Sequence, residues 1–233
     1  NRLSQLNVAA AKILALRGAH SPEALEGDVY LKGLTQLDPA TAKALATYKG
    51  RGLDLESLNQ LSVETAEALA TYRGNLYLNG LTQLDPATAE ALADHEGRLY
   101  LNGLTQLDAA AAKGLAMYKG DGIDLKGLTQ LEATTAQALA AYKGELSLNI
   151  TQLDAATAKA LSTRENDLYL NGLTQLDVAT AQALAAHKSD VLLNGLTQLA
   201  AATAKALATH KGGLYLNGLT QLDAATAQAF AKH

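Results

Sequence analysis

Five tyrosines recur at one position of a repeated sequence: Tyr30, Tyr77, Tyr100, Tyr169 and Tyr215, each directly after a leucine or valine. Tyrosine brings a large rigid ring with a polar tip and is enriched where proteins bind partners. It also favours strands whether or not anything binds. Two residues after two of these rings stand Asn79 and Asn102, in a row continued by Asn149, Asn171, Asn194 and Asn217. Their amides suit adaptable hydrogen bonding, but service to an Asn-Gly turn explains them equally and is preferred. On the other flank lie Arg98, Glu145, Asp167 and Asp190. Three carboxylates in consecutive units would raise one another's pKa and invite a cationic partner or a divalent ion. A solvated acidic edge is the simpler account.

Other ladders could carry chemistry. His187, His210 and His233 share one helical position with Tyr48, Tyr72, Tyr118 and Tyr142. Zinc needs ligands converging at about 2 Å, whereas packed helices hold their backbones ~8–10 Å apart, so this is expected to be a place for a half-buried ring and not a metal site. Thr35, Thr82, Thr105, Thr129, Thr151, Thr174, Thr197 and Thr220 form a hydroxyl ladder that could match ordered water. A single Thr per unit between two leucines argues against that. A Gln ladder (Gln5, Gln36, Gln60, Gln83, Gln106, Gln130, Gln152, Gln175, Gln198, Gln221) is expected to be an interior rung, its amides satisfying backbone groups at a buried turn. A polar binding stripe is the alternative. No nucleophile stands beside a base, and no Gly-rich phosphate loop follows a strand. The expectation is a non-enzyme without metal or cofactor.

All of these positions repeat because the chain does. The first strand leucine or its substitute falls at Val29, Leu53, Leu76, Leu99, Ile123, Leu146, Leu168, Val191 and Leu214, in steps of 24, 23, 23, 24, 23, 22, 23 and 23 residues. Such a unit cannot bury its own hydrophobic face, so the units must stack. In the unit from Asn75, Leu76 and Leu78 face one side of a short strand and Asn75, Tyr77 and Asn79 the other. Asn79-Gly80 suits a turn at positive φ. Asp85 is a good N-cap with Pro86 at N1, a helix of about three turns follows, and Gly97 is expected as its left-handed stop. Glu132 and Ala200 are the weak caps.

The pattern L-x-L-x-x-L-x-x-L followed by a helix resembles the leucine-rich repeat family, across essentially the whole chain from Leu3 to Phe230. The family's usual Asn or Cys is replaced by Leu34, Leu58, Leu81, Leu104, Leu128, Leu173, Leu196 and Leu219. The resemblance is to short bacterial variants with alanine-rich helices. It implies an α/β solenoid with parallel strands on the concave face and short helices on the convex face. Strand spacing of ~4.8 Å against helix spacing of ~8–10 Å requires the same curvature. Residues 1–28 are expected to be a partial first repeat and N-terminal cap, and residues 29–233 an array of nine repeats. The C-terminal edge at Leu214–Leu216 is expected to be exposed and open to association.

Composition narrows the partners. The interior must be leucine and alanine, since aromatics make up only 4% of 233 residues and Trp is absent. A net charge of −4 lacks the basic footprint that nucleic acid requires. No stretch approaches the roughly 20 apolar residues of a membrane span, so no membrane insertion is expected. There is no cysteine, which leaves the compartment open; a secreted or cell-surface setting is slightly favoured over a cytoplasmic one. The start at Asn1 without Met suggests a processed or excised piece. The leading expectation is a recognition module binding a protein or peptide, or alternatively a glycan, through the concave tyrosine face. A spacer or assembly segment is the rival from a different class, and a targeting arm for an enzyme the third.

Overall fold

The structure, a computed structural model, describes residues 6–17 and 27–231. Among these residues ten helices, from α1 (Val8–Arg17) to α10 (Ala224–Phe230), alternate with nine strands, from β1 (Asp28–Tyr30) to β9 (Leu214–Tyr215). The strands form one open parallel sheet in chain order. Of the expected cap at residues 1–28, residues 1–5 (Gln5 among them) and 18–26 lie outside the described residues, as does His233.

Register follows the leucine repeat. Val29 pairs with Leu53, Leu53 with Leu76, Leu76 with Leu99, Leu99 with Ile123 and Ile123 with Leu146. Strand alternation then sends Leu76 and Leu78, both 0% exposed, into the core and leaves Tyr77 and its counterparts on the open face of the sheet. The helices close the other side. Alanines such as Ala66, Ala89 and Ala136 are fully buried there, because only a methyl fits where neighbouring helices lie close.

Three details differ from expectation. The helices after α1 are six to eight residues long, about two turns rather than three. Each of those before α10 ends in a tightened turn: after α2 (Pro39–Leu45), the Thr47 and Tyr48 amides donate to the Ala44 and Leu45 carbonyls at 3.3 and 2.9 Å, an i→i−3 pattern. The chain thus leaves the helix with right-handed backbone, and no described residue has a positive φ. Gly97 is not a left-handed stop and Gly80 does not serve a positive-φ turn. Both are needed for space instead. A Cβ on Gly97 would lie 2.1 Å from the Gly74 carbonyl oxygen, and one on Gly80 would lie 2.2 Å from that of Glu56.

Caps behave as their chemistry dictates. Asp38, Ser62, Asp85, Asp108, Asp154, Asp177 and Asp223 each accept from the backbone amide three residues on. Glu132 and Ala200 make no such bond.

The Gln ladder is not interior. Gln36, Gln60, Gln83, Gln106, Gln130, Gln152, Gln175, Gln198 and Gln221 are all exposed, and Gln130 donates to Gln152 at 3.0 Å along the surface. The exposed Thr ladder runs beside it. A different threonine does the interior work: Thr65, Thr135, Thr157 and Thr226, at the third position of their helices, are buried. Their hydroxyls donate at 3.1–3.2 Å to the Leu37, Leu107, Leu131 and Leu199 carbonyls of the preceding unit. A hydroxyl suffices because the two groups already face each other across the unit boundary. Thr65→Val should therefore lower stability by about 1–2 kcal/mol through the stranded carbonyl, while Gln106→Leu should change it by less than about 0.5 kcal/mol. Denaturant midpoints of the two variants check this.

Candidate functional site

The five face tyrosines do not form one surface. In-register pairing of β3 (Asn75–Tyr77) with β4 (Leu99–Tyr100) places Tyr77 opposite Tyr100. Their rings stack with centroids 4.4 Å apart and planes 12° from parallel. Gly52 leaves the room for this, since a Cβ there would come 2.8 Å from Cε2 of Tyr77. Tyr30 (62% exposed) is separated from the stack by Asp54, and its hydroxyl reaches Asp28 Oδ2 at 3.4 Å. Tyr169 lies between Ser147 and Leu192. Tyr215 donates to Asp190 Oδ2 at 3.2 Å.

Beside the stack lies a charge network. Arg98 sits 5.8 Å from the Tyr100 ring, measured from Cζ to the centroid, and spans β5 (Gly122–Leu125) to reach β6 (Glu145–Leu148). Its Nε donates to Asp124 Oδ2 at 3.1 Å, and its Nη1 and Nη2 fork onto Glu145 Oε2 and Oε1 at 3.0 and 2.7 Å. Nη2 also lies 3.3 Å from Ser147 Oγ. The guanidinium crosses above Gly122, where a Cβ would meet Cζ at 2.9 Å. Lys126 Nζ completes the group 3.0 Å from Asp124 Oδ1. Hydrogen bonds from Arg98, outweighing partial burial, hold the Glu145 carboxyl below its ordinary range. Burial pushes Asp124 up, but donation by Lys126, Arg98 and Ser147 outweighs it and its pKa falls.

The three carboxylates of this flank, read above as a solvated acidic edge, each have their own partners. Glu145 belongs to Arg98. Asp167 Oδ1 accepts from the Asp190 amide at 3.1 Å, and Asp190 Oδ1 from the Gly213 amide at 2.8 Å. These two aspartates stitch strands together. Among the described residues no group of three or more His, Cys, Asp or Glu could hold a metal ion.

Asn79 and Asn102 are likewise structural. The Asn79 Oδ1 accepts from the Asn102 amide at 3.0 Å and the Asn102 Oδ1 from the Lys126 amide at 2.9 Å. Asn171 and Asn194 repeat the bond in later units. These amides tie the strand ends of successive units through their Oδ1 atoms.

The ring position after each helix is a buried column, not a half-exposed one. Tyr72, His95, Tyr118, Tyr142, His187 and His210 are all at most 5% exposed. Tyr72, Tyr118 and Tyr142 donate their hydroxyls to the Gly50, Gly97 and Gly120 carbonyls at 2.8, 2.5 and 2.7 Å. Arg164 takes the same place with its guanidinium, donating to Leu139, Tyr142 and Gly144 carbonyls. The His187 and His210 rings are parallel at 6.3 Å and do not converge on a point.

Two residues that the sequence analysis passed over matter here, Asp124 and Asp54, 2% and 6% exposed on the open face. Their signal was available: Gly52-Leu53-Asp54-Leu55 and Gly122-Ile123-Asp124-Leu125 repeat a G-x-D-L motif three units apart. A groove of about 640 Å³ away from the stack is lined by Tyr48, Lys49, Arg51, Thr71 and Arg73 among others. It contains no nucleophile–base pair.

Compared with known proteins, the chain matches no family model and no curated relative. No helix among the described residues is long and apolar enough to cross a membrane.

Proposed function

We propose that this chain is a recognition module of leucine-rich-repeat type that binds a protein or peptide on the open face of its sheet. The observation that carries the reading is the Tyr77–Tyr100 stack, half-exposed at 4.4 Å and bordered by the Arg98 network. Two rings already stacked lose little side-chain freedom when a partner covers them, and aromatic groups of this kind dominate binding energies. The bordering charges are neutralised in pairs, so they add orientation without repelling an apolar contact.

The test is a selection of peptides from a displayed random library on the intact chain, followed by titration of the selected peptides. Substituting both Tyr77 and Tyr100 with Ala should weaken the selected peptides at least tenfold while leaving far-UV dichroism and melting temperature nearly unchanged. Undiminished affinity for every selected peptide would remove this face from consideration. A glycan reading rests on the same rings and would show as retention on an immobilised glycan array instead.

A second use of the chain is supported by a separate observation. β9 pairs with β8 (Val191–Leu192) alone among the described residues, and Leu222, in the same unit before the α10 cap, is 56% exposed. Such an edge suits end-to-end association of arrays.

A further inference from the structure

The G-x-D-L motif marks two versions of one arrangement, and they differ in what fills them. In the second, Arg98 enters from the preceding strand, lies over Gly122, donates to the buried Asp124 and forks onto Glu145 on the following strand. In the first, on β2 (Gly52–Asp54), the position equivalent to Arg98 is Asp28, and the position equivalent to Lys126 is Glu56. Asp54 Oδ1 accepts only the Glu56 amide, at 3.1 Å, and Asp54 Oδ2 receives no hydrogen bond or ion pair from any described residue. Lys32 does not fill the place; its Nζ pairs with Glu56 at 3.2 Å and lies 5.6 Å from the Tyr30 centroid.

Charge makes the contrast quantitative. Across β4 to β6 and the residues that end them, Arg98 and Lys126 balance Asp124 and Glu145, a net of zero. Across β1 to β3, Asp28, Asp54 and Glu56 face Lys32 alone, a net of −2. The two buried carboxylates respond in opposite senses. Burial first raises Asp54, with the Glu56 and Asp28 charges adding and the Glu56 amide and Lys32 only partly opposing, whereas the hydrogen bonds and cations around Asp124 outweigh the same burial effect. A buried carboxylate that no cation reaches at ion-pair distance is costly, and such groups cluster where ligands bind.

The geometry above Gly52 suits a planar cation. Asp28 Oδ1 and Tyr77 Cε2 both come within 2.8 Å of where a Gly52 Cβ would stand, so the glycine lets a carboxylate and a ring close over the strand side by side. Tyr77 is backed by Tyr100 and presents a fixed aromatic wall beside two carboxylates. Arginine matches such a site better than lysine, since its flat fork bonds carboxylates in pairs while stacking on a ring.

We propose that Asp28, Gly52, Asp54 and Tyr77 form a seat for the guanidinium of an arginine carried by a protein or peptide partner, a seat that the chain fills for itself at the second motif with Arg98. The proposal rests on the reading of the open face as a binding surface and adds the chemistry of the residue it takes.

The probe is N-acetyl-arginine methylamide, titrated into the labelled chain and followed by backbone amide NMR. The expected result is saturable shifts centred on Gly52, Asp54 and Tyr77, with the lysine analogue at least fivefold weaker. Asp54→Asn, nearly isosteric, should weaken the arginine probe at least tenfold. Asp28→Arg should abolish its binding by placing an internal arginine where Arg98 stands in the second motif, with no fall in melting temperature. Absent shifts at these residues, or equal affinity in Asp54→Asn, would overturn the seat. That failure is separable from failure of the broader reading, because selected peptides that still depend on Tyr77 and Tyr100 would uphold the face while the seat falls.

Discussion

Replacing Gly103 with Ala should lower the stability of the array by about 2–3 kcal/mol, although the position is a half-exposed turn. A Cβ there would stand 2.0 Å from the Asn79 carbonyl oxygen and 2.7 Å from that of Leu81. Both obstacles are backbone of the preceding unit, so neither can swing aside as a side chain would. Parallel strands keep successive units ~4.8 Å apart, and the turn after each strand has no slack. The one unit with a side chain at this place shows how relief is obtained: Ser57 turns its hydroxyl onto the Lys32 carbonyl at 2.8 Å. Gly103→Ser should therefore recover about 1 kcal/mol of the loss through the same bond to Asn79. Urea midpoints of the two variants measure both quantities. An alanine variant as stable as the parent would show that the units can shift apart freely.

Lowering the pH from 7.5 to 5 should cost roughly 2 kcal/mol of stability through His95 alone. The ring is fully buried between Tyr72 and Tyr118, with centroids 6.3 and 6.0 Å away. Neither nitrogen meets the geometry of a hydrogen bond. Burial dominates and pushes its pKa down to about 4, against partial opposition from the nearby Tyr72, Ala70 and Gly74 carbonyls. The unfolded chain takes up this proton near the ordinary histidine value of about 6.5, and the folded chain only near 4. Below pH 6.5 the unfolded state thus binds more protons, so stability falls as pH drops through that window and is complete above it. His187, also lowered chiefly by burial, adds in the same direction. The capping aspartates have depressed pKa values and hold their contribution until the pH nears their range, below this window. His95→Tyr should flatten the profile between pH 7.5 and 5 by about that amount, since a hydroxyl there would point at the Gly74 carbonyl as Tyr72 and Tyr118 point at Gly50 and Gly97. Melting temperatures across the pH series for both proteins check it.

Both results turn on the boundary between units, which is also where the sequence was hardest to read. The repeat made Gln106 and its counterparts look interior because they never vary. They are constant on an exposed edge instead, and the interior bond falls to Thr65 and its counterparts three residues into each helix. Invariance between near-identical units does not separate a buried rung from a surface one. The same limit hid the use of Gly97 and Gly103: a glycine required by a neighbour's carbonyl looks the same in sequence as one required by its own φ.

What the sequence determined by itself was the fold and its register. Leucine spacing and strand alternation left one way to bury Leu76, Leu78 and their equivalents, and cap chemistry marked where each helix begins, because these are interactions within a unit and between identical neighbours. It also placed Tyr77 against Tyr100, since in-register strands bring equal positions together. Tertiary structure alone decided what unlike neighbours do to one another. Arg98 belongs to Glu145, 47 residues away, because Gly122 leaves a passage two strands wide and Asp124 a buried charge to meet on the way. Asp54 lacks such a cation because the strand before it carries Asp28. Periodicity predicts what every unit shares, whereas a charged side chain long enough to cross a strand acts on the particular residues beyond it.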